Sequence, residues 1–208
     1  MKISVIDTEG IAVRTGGTKS KKQTTVWVKK VAIIVWIDGQ IDTEREYTIS
    51  FPKKWNEIDN NTRKSWSYTH KIHNQRWDQP GVPYRDSLNE IMELVSGGEV
   101  WAKGKFLEDR FINNIGMYGE SFCQKDFAKR SIFVNELNYL RYRNGKKIDK
   151  YDTAVYKFYK WNLSNGHHIS KYAENFISNY QQGIPCHHDP INECNYFLGE
   201  LLKINGYV

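Results

Sequence analysis

The dipeptide Asp38-Gly39 separates two long segments whose side chains alternate with period two, and this arrangement narrows the possible folds more than any other feature. Thr24 to Ile37 precedes it; Ile41, Thr43, Arg45, Tyr47, Ile49 and Phe51 follow on one parity. Asp-Gly suits the tight turn of a hairpin, so the two segments are predicted to be antiparallel neighbours. Lys2 to Asp7 reads as a short buried strand ahead of them. Between it and Thr24, the polar stretch from Arg14 to Lys22 reads as an exposed loop or hairpin tip.

Helical and extended patterns then alternate. Pro52 to Pro83 carries turn residues and short helical pieces. Asp86-Ser87 is expected to cap a helix running to Val95, which Gly97-Gly98 would end. Glu99 to Ala102 follows as a brief strand, Gly104 turns the chain, and a helix is expected from about Lys105 to Ile115. Residues 122–160 yield no assignment. Ser170 to Tyr180 reads as a helix, and Asp189-Pro190 opens a last one as N-cap and first helical residue. With no repeat or linker, 1–208 is expected to be one α/β domain, long enough to bury a core without disulfides.

Lys and Arg outnumber Asp and Glu by 30 to 24, giving a net charge of +6 and a pI near 9.0, which suits a polyanionic partner. Nine Phe, seven Trp and thirteen Tyr add rings that either fill the core or stack on bases. The basic Arg14–Lys22 stretch and the Trp66/Trp77 region are the candidate substrate contacts of that kind. Three cysteines, Cys123, Cys186 and Cys194, do not make a secreted disulfide framework. The longest apolar run, Val31 to Ile37, falls far short of the roughly 20 residues that span a bilayer. Asp7 interrupts the start where a signal peptide stays apolar, so an intracellular, cytoplasmic protein without membrane association is expected.

Three groups of residues could carry chemistry. In Val5-Ile6-Asp7-Thr8-Glu9-Gly10, Asp7 and Glu9 lie two apart at the expected end of an apolar strand, and leave the same face. Paired carboxylates repel unless a cation sits between them, and hard divalent ions take such oxygen ligands; the alternative is a strand end with two solvated acids. In the second group, Val100 to Ile112, a strand feeds a turn and a helix whose first turn bears Glu108 and Asp109. Leu107 and Phe111 packed inward would place Glu108 at the crevice, with Asp109 about 100° around the helix as the fallback ligand. The third is Cys186-His187-His188-Asp189-Pro190-Ile191-Asn192-Glu193-Cys194. His188 stands in the loop before the helix, where it suits a general base, and Glu193 falls in the first turn.

Together these groups resemble the three motifs of the DEDDh 3′–5′ exonucleases. Asp7-x-Glu9 is similar to the first motif and Val100–Ile112 to the second, with Glu108 where Asp is usual. His188 and Glu193 have the His-x-x-x-x-acid spacing of the third, again with Glu for Asp. Ser67-Tyr68-Thr69-His70-Lys71-Ile72-His73 is similar to the segment between the first two motifs. Leu107-Glu108 departs from the usual aromatic-Asp pair. The resemblance implies an RNase H-like mixed β-sheet, its first three strands antiparallel and the others parallel, flanked by α-helices. It also implies two Mg²⁺ or Mn²⁺ ions about 4 Å apart on Asp7, Glu9, Glu108 and Glu193, with His188 deprotonating water. The substrate would be RNA or DNA with a 3′ end, single-stranded, with Gly10 and Lys103 beside it.

Three other readings share these residues. A nucleic-acid-binding module on the same fold would bind without cleaving. An RNase H-like endonuclease or integrase-type enzyme would use the carboxylates without His188. A structural zinc site could group Cys186, His187 and Cys194 with Cys123, His167 or His168.

Overall fold

The computed structural model describes residues 1–15, 23–70, 77–119, 132–137, 151–184 and 190–207. Strands β1 (Lys2–Thr15), β2 (Gln23–Ile37) and β3 (Gln40–Ser50) form an antiparallel meander. Asp38 and Gly39, at φ 46° and 105°, make the tight turn between the last two. Three short strands run parallel to their neighbours: β4 (Val82–Pro83) beside β3, β5 (Glu99–Ala102) beside β1, and β6 (Val134–Glu136) beside β5. The sheet order is β4-β3-β2-β1-β5-β6, and it has the antiparallel opening and parallel remainder that the sequence implied.

Each face of the sheet packs against three of the described helices. α1 (Asn60–Thr69), α2 (Tyr84–Val95) and α3 (Phe106–Ile112) cover one face with Ile6, Val28, Ile33, Leu88, Ile91 and Phe111. α4 (Tyr151–Ser164), α5 (Lys171–Gln181) and α6 (Pro190–Ile204) cover the other with Ile3, Val5, Ile34, Phe158, Phe197 and Leu201. None of the described helices is long and apolar enough to cross a membrane.

Several boundaries differ from expectation, each for a local reason. β1 is not a short strand ending at Asp7. It continues to Thr15 because the 15-residue β2 offers a paired edge along its whole length. Arg14 thus belongs to the strand; residues 16–22 of the basic stretch, with Lys19, Lys21 and Lys22, lie outside the described residues.

α2 starts at Tyr84, so Asp86 sits in its first turn and Ser87 inside it, donating from its hydroxyl to Tyr84 O at 2.9 Å. Tyr84 is fixed there by burial and by its own hydroxyl bond to Phe111 O at 2.7 Å. α3 ends at Ile112 rather than Ile115, because Asn114 and Gly116 take positive φ and lead the chain to a bridge with Val26. Trp66 and Trp77 are core residues, 0% and 1% exposed, Trp77 stacking on Phe51 at 3.7 Å. Both rings are buried away from any strand of nucleic acid.

Candidate metal centre

β1 and β5 pair only as far as Val5 and Trp101. Beyond that point β1 keeps β2 on one side, while β5 ends and turns through Lys103–Lys105 into α3. The parting of the two strands leaves a crevice at the carboxyl end of the parallel strands, where open α/β sheets hold their ligands. Asp7 and Glu9 therefore stand in mid-strand but at the end of the parallel pairing.

A register shift against β2 follows at Glu9/Gly10. Bulges of this kind redirect side chains beside functional sites. Gly10 is required here by close approach: a Cβ would lie 2.6 Å from Trp27 O.

The carboxylates reach the crevice from three elements. Asp7 on β1 is buried, 8% exposed, and Glu108 on α3 is 5% exposed. Phe111 and Ile112 anchor α3 in the core, with Leu107 half-buried against it, so the helix presents Glu108 inward. Glu193 rides on the first turn of α6, held by Cys194 and Asn195 behind it. Cys194 Sγ points to Ala32 O at 3.5 Å, and Asn195 donates to Glu44 Oε1 at 2.7 Å. Tyr159 of α4 adds a hydrogen bond from its hydroxyl to Asn192 Oδ1 at 3.2 Å.

Electrostatics tie the set together. Burial pushes the Asp7 carboxyl well above the ordinary carboxylate range, and the charges of Glu193, Glu108 and Glu9 push it further; Lys103 opposes them. Burial raises Glu108 to about 7, against the hydrogen bonds that favour its ionised form. Two of those come from Thr8, whose hydroxyl and N–H donate to Oε1 at 2.8 and 3.2 Å. Among the described residues, Oε2 of Glu108 has no hydrogen-bond partner although it is buried. The Cys194 thiol is likewise pushed up, by burial first and then by Asp7, Glu193 and Glu108.

A buried acid facing three more, one of them with an orphaned oxygen, is a donor set that fits hard divalent cations. No three His, Cys, Asp or Glu side chains among the described residues are drawn into one ready ligand group. The acids share one field without forming a closed cage.

Gly10 offers its carbonyl to His70 Nε2 at 3.1 Å. Lys103 is exposed, with its ammonium 5.7 Å from the Phe197 ring centroid. Asp109 turns away from Asp7: its carboxylate accepts from Asn113 Nδ2 at 3.1 Å and lines a separate cleft. His188, like Cys123, Cys186, His187 and His73, lies outside the described residues. His167 meets Asn162 Oδ1 through Nδ1 at 3.2 Å.

Two participants were not singled out in the sequence. Thr8 is one, lying between the two acids with its side chain predicted on the opposite face. His70 is the other: from the end of α1, its Nδ1 lies 3.5 Å from Glu9 Oε2, with the ring against Trp66. The sequence signal for His70 was its place on the helix face of buried Trp66, four residues on.

No protein-family model and no curated protein matches the sequence. Similar solved structures include an exonuclease X in complex with 5′ overhanging duplex DNA, at 14% identity and a TM-score of 0.46, covering 99% of this chain and 94% of that one. Another is the nuclease domain of 3′hExo, a DEDDh family member, bound to rAMP, at 13% identity and 0.45, covering 98% and 89%. An exonuclease I from Methylocaldum szegediense matches at 10% identity and 0.48, covering 97% and 40%. At such distances the fold class rests on the sheet order, and the chemistry on this chain's own residues.

Proposed function

We propose that this chain is a divalent-metal-dependent 3′–5′ exonuclease that hydrolyses phosphodiester bonds at the 3′ end of single-stranded RNA or DNA. What supports this reading is the buried carboxyl of Asp7, on which the charges of Glu193, Glu108 and Glu9 all act. Acids from three elements lie near enough to act on Asp7, in a chain of net charge +6. Folding such a cluster costs stability unless cations or protons neutralise it.

Asp7, Glu9, Glu108 and Glu193 would hold two Mg²⁺ or Mn²⁺ ions. When bound, the ions supply charge stabilisation of the phosphoryl oxygens and lower the pKa of the attacking water. Thr8 fixes Glu108 through one oxygen, and the other has no hydrogen-bond partner among the described residues. His70 lies beside Glu9 at the bulge and would pair with it when its ring carries both protons. Lys103, exposed and felt by Asp7, would contact a phosphate oxygen of the substrate, beside the backbone of Gly10. His188, two residues ahead of Pro190 at the start of α6, would take the proton from water.

Matched linear and circular single strands of RNA and DNA test this directly in Mg²⁺, Mn²⁺ and EDTA. The reading requires mononucleotides from linear strands in metal alone, beginning at the 3′ end, with circles untouched. Cutting of circles would identify an endonuclease. Tight binding without release in any metal would identify a binding module.

A further inference from the structure

The turn between β5 and α3 borders a second cleft of about 470 Å³ on the other side of the helix. Lys105, Phe106, Asp109, Arg110, Ile115 and Glu136 line it. Glu108 faces the carboxylate crevice, while its neighbours Asp109 and Arg110 face this cleft, so one turn of helix joins the two.

Two exposed rings stand here. Phe106, in the lining, is 54% exposed, and Phe133, just ahead of β6 and next to the cleft's Lys105, is 74% exposed. Each ring sits under a cation. The Arg110 guanidinium carbon lies 4.8 Å from the Phe106 centroid, and Lys105 Nζ lies 5.3 Å from that of Phe133. Exposed cation–π pairs contribute little to folding, so two open rings, Phe106 lining the cleft and Phe133 beside its Lys105, point to a ligand.

The chemistry that matches a ring beside a cation, repeated, is a single nucleic-acid strand. Every base has a face that stacks on phenylalanine, and the intervening phosphates meet Lys105 and Arg110. Asp109 and Glu136 can accept hydrogen bonds from exocyclic amines on the bases.

We propose that this cleft binds the single-stranded body of an RNA or DNA molecule whose 3′ end lies in the neighbouring crevice. The identity of the strand as substrate rests on the exonuclease reading above; its binding here does not require turnover.

The test is the affinity of the whole protein for a labelled single strand of about twelve nucleotides, within the usual site sizes. Fluorescence anisotropy in EDTA keeps cleavage out of the measurement. The paired substitution Phe106→Leu with Phe133→Leu keeps apolar bulk but removes both stacking faces. Affinity is expected to fall at least about 25-fold. Phe106→Trp with Phe133→Trp keeps the rings and should retain wild-type affinity or better. Lys105→Gln with Arg110→Gln should reduce the slope of log affinity against log salt by about 1.4, two phosphate contacts on a single strand.

Unchanged affinity in the leucine variant, or equal loss in the tryptophan variant, overturns the proposal. A shift in sedimentation of the leucine variant with unchanged strand affinity assigns the rings to a second copy of this chain, and also overturns it. Failure of the two readings is separable. Strand binding that depends on the rings, with no nucleotide released in either metal, ends the nuclease reading alone. Nucleotide release with ring-independent binding ends this one alone.

Discussion

Thr8 gives Glu108 two hydrogen bonds to one oxygen, from its backbone N–H at 3.2 Å and its hydroxyl at 2.8 Å. The pair ties the first strand to α3 across 100 residues of chain. Both donors take Oε1, and the buried Oε2 has no partner among the described residues.

Thr8→Val removes the hydroxyl donor with almost no change in shape. A buried ionisable acceptor then loses a hydrogen bond, at about 1–3 kcal/mol. Chemical denaturation should show that loss, and metal-dependent nucleotide release should fall about tenfold. Thr8→Ser, which keeps the donor, should recover most of both. An unaltered rate in Thr8→Val would show that Glu108 needs no such anchor.

Much of the fold was legible in the sequence because its signals were local. The Asp38-Gly39 turn, the alternation on either side of it and the Glu99–Ala102 strand need no tertiary information. The full length of β1 was not legible. Arg14 and Gly10 interrupt any apolar pattern, and only pairing with β2 keeps that segment extended.

Of the candidate site, motif spacing pointed to Asp7, Glu9, Glu108 and Glu193. It did not point to the supporting residues: Thr8 acts through a contact that alternation does not encode, and the one signal for His70 was its spacing from Trp66. The buried Trp66 and Trp77 show the opposite case. Their basic neighbours suggested a surface, but burial of such large apolar rings decides their position.

The metal-free protein should lose stability as pH rises. Burial raises Glu108 from 4.5 to about 7 and Asp7 in the same direction. A raised carboxyl pKa means that the folded state holds its proton longer than the unfolded chain. Stability is then fully present below the unfolded value and is lost as pH rises through the folded one. For Glu108 that window is about pH 4.5 to 7, and the loss is about 3 kcal/mol by linkage. Denaturation across that range in EDTA should show the fall, and Glu108→Gln should flatten it. A profile rising over the same interval in EDTA would contradict the burial of these acids.

Gly10→Ala should be strongly unfavourable for a residue so small. The added methyl would lie 2.6 Å from Trp27 O, and backbone cannot yield as a flexible side chain does. A loss of about 1–3 kcal/mol is expected from overpacking, with Glu9 displaced from its place beside Asp7. Thermal melting and metal affinity should therefore decline together. A melting temperature equal to wild type would show that the bulge relaxes freely.

His70→Ala should separate site geometry from fold. The ring bonds Gly10 O and lies beside Glu9, yet it caps a helix end already anchored by Trp66. We expect a stability cost near 1 kcal/mol, typical of one hydrogen bond, but about tenfold weaker Mn²⁺ binding. His70→Gln, able to donate to the same carbonyl, should recover part of that affinity. Equal Mn²⁺ affinity in wild type and His70→Ala would remove the residue from the site.

If Asp7, Glu9, Glu108 and Glu193 together form one cation site, calorimetric titration with Mn²⁺ will reveal it. Wild-type protein at neutral pH should bind Mn²⁺ and be stabilised by it by about 2.7 kcal/mol at a hundredfold excess over the dissociation constant. Asp7→Asn and Glu193→Gln, from opposite ends of the chain, should each abolish both effects, while Asp7→Asn raises stability in EDTA by removing a repelled charge. Mn²⁺ binding that survives both substitutions unchanged, or is missing from the wild type, would mean that these four acids share no cation.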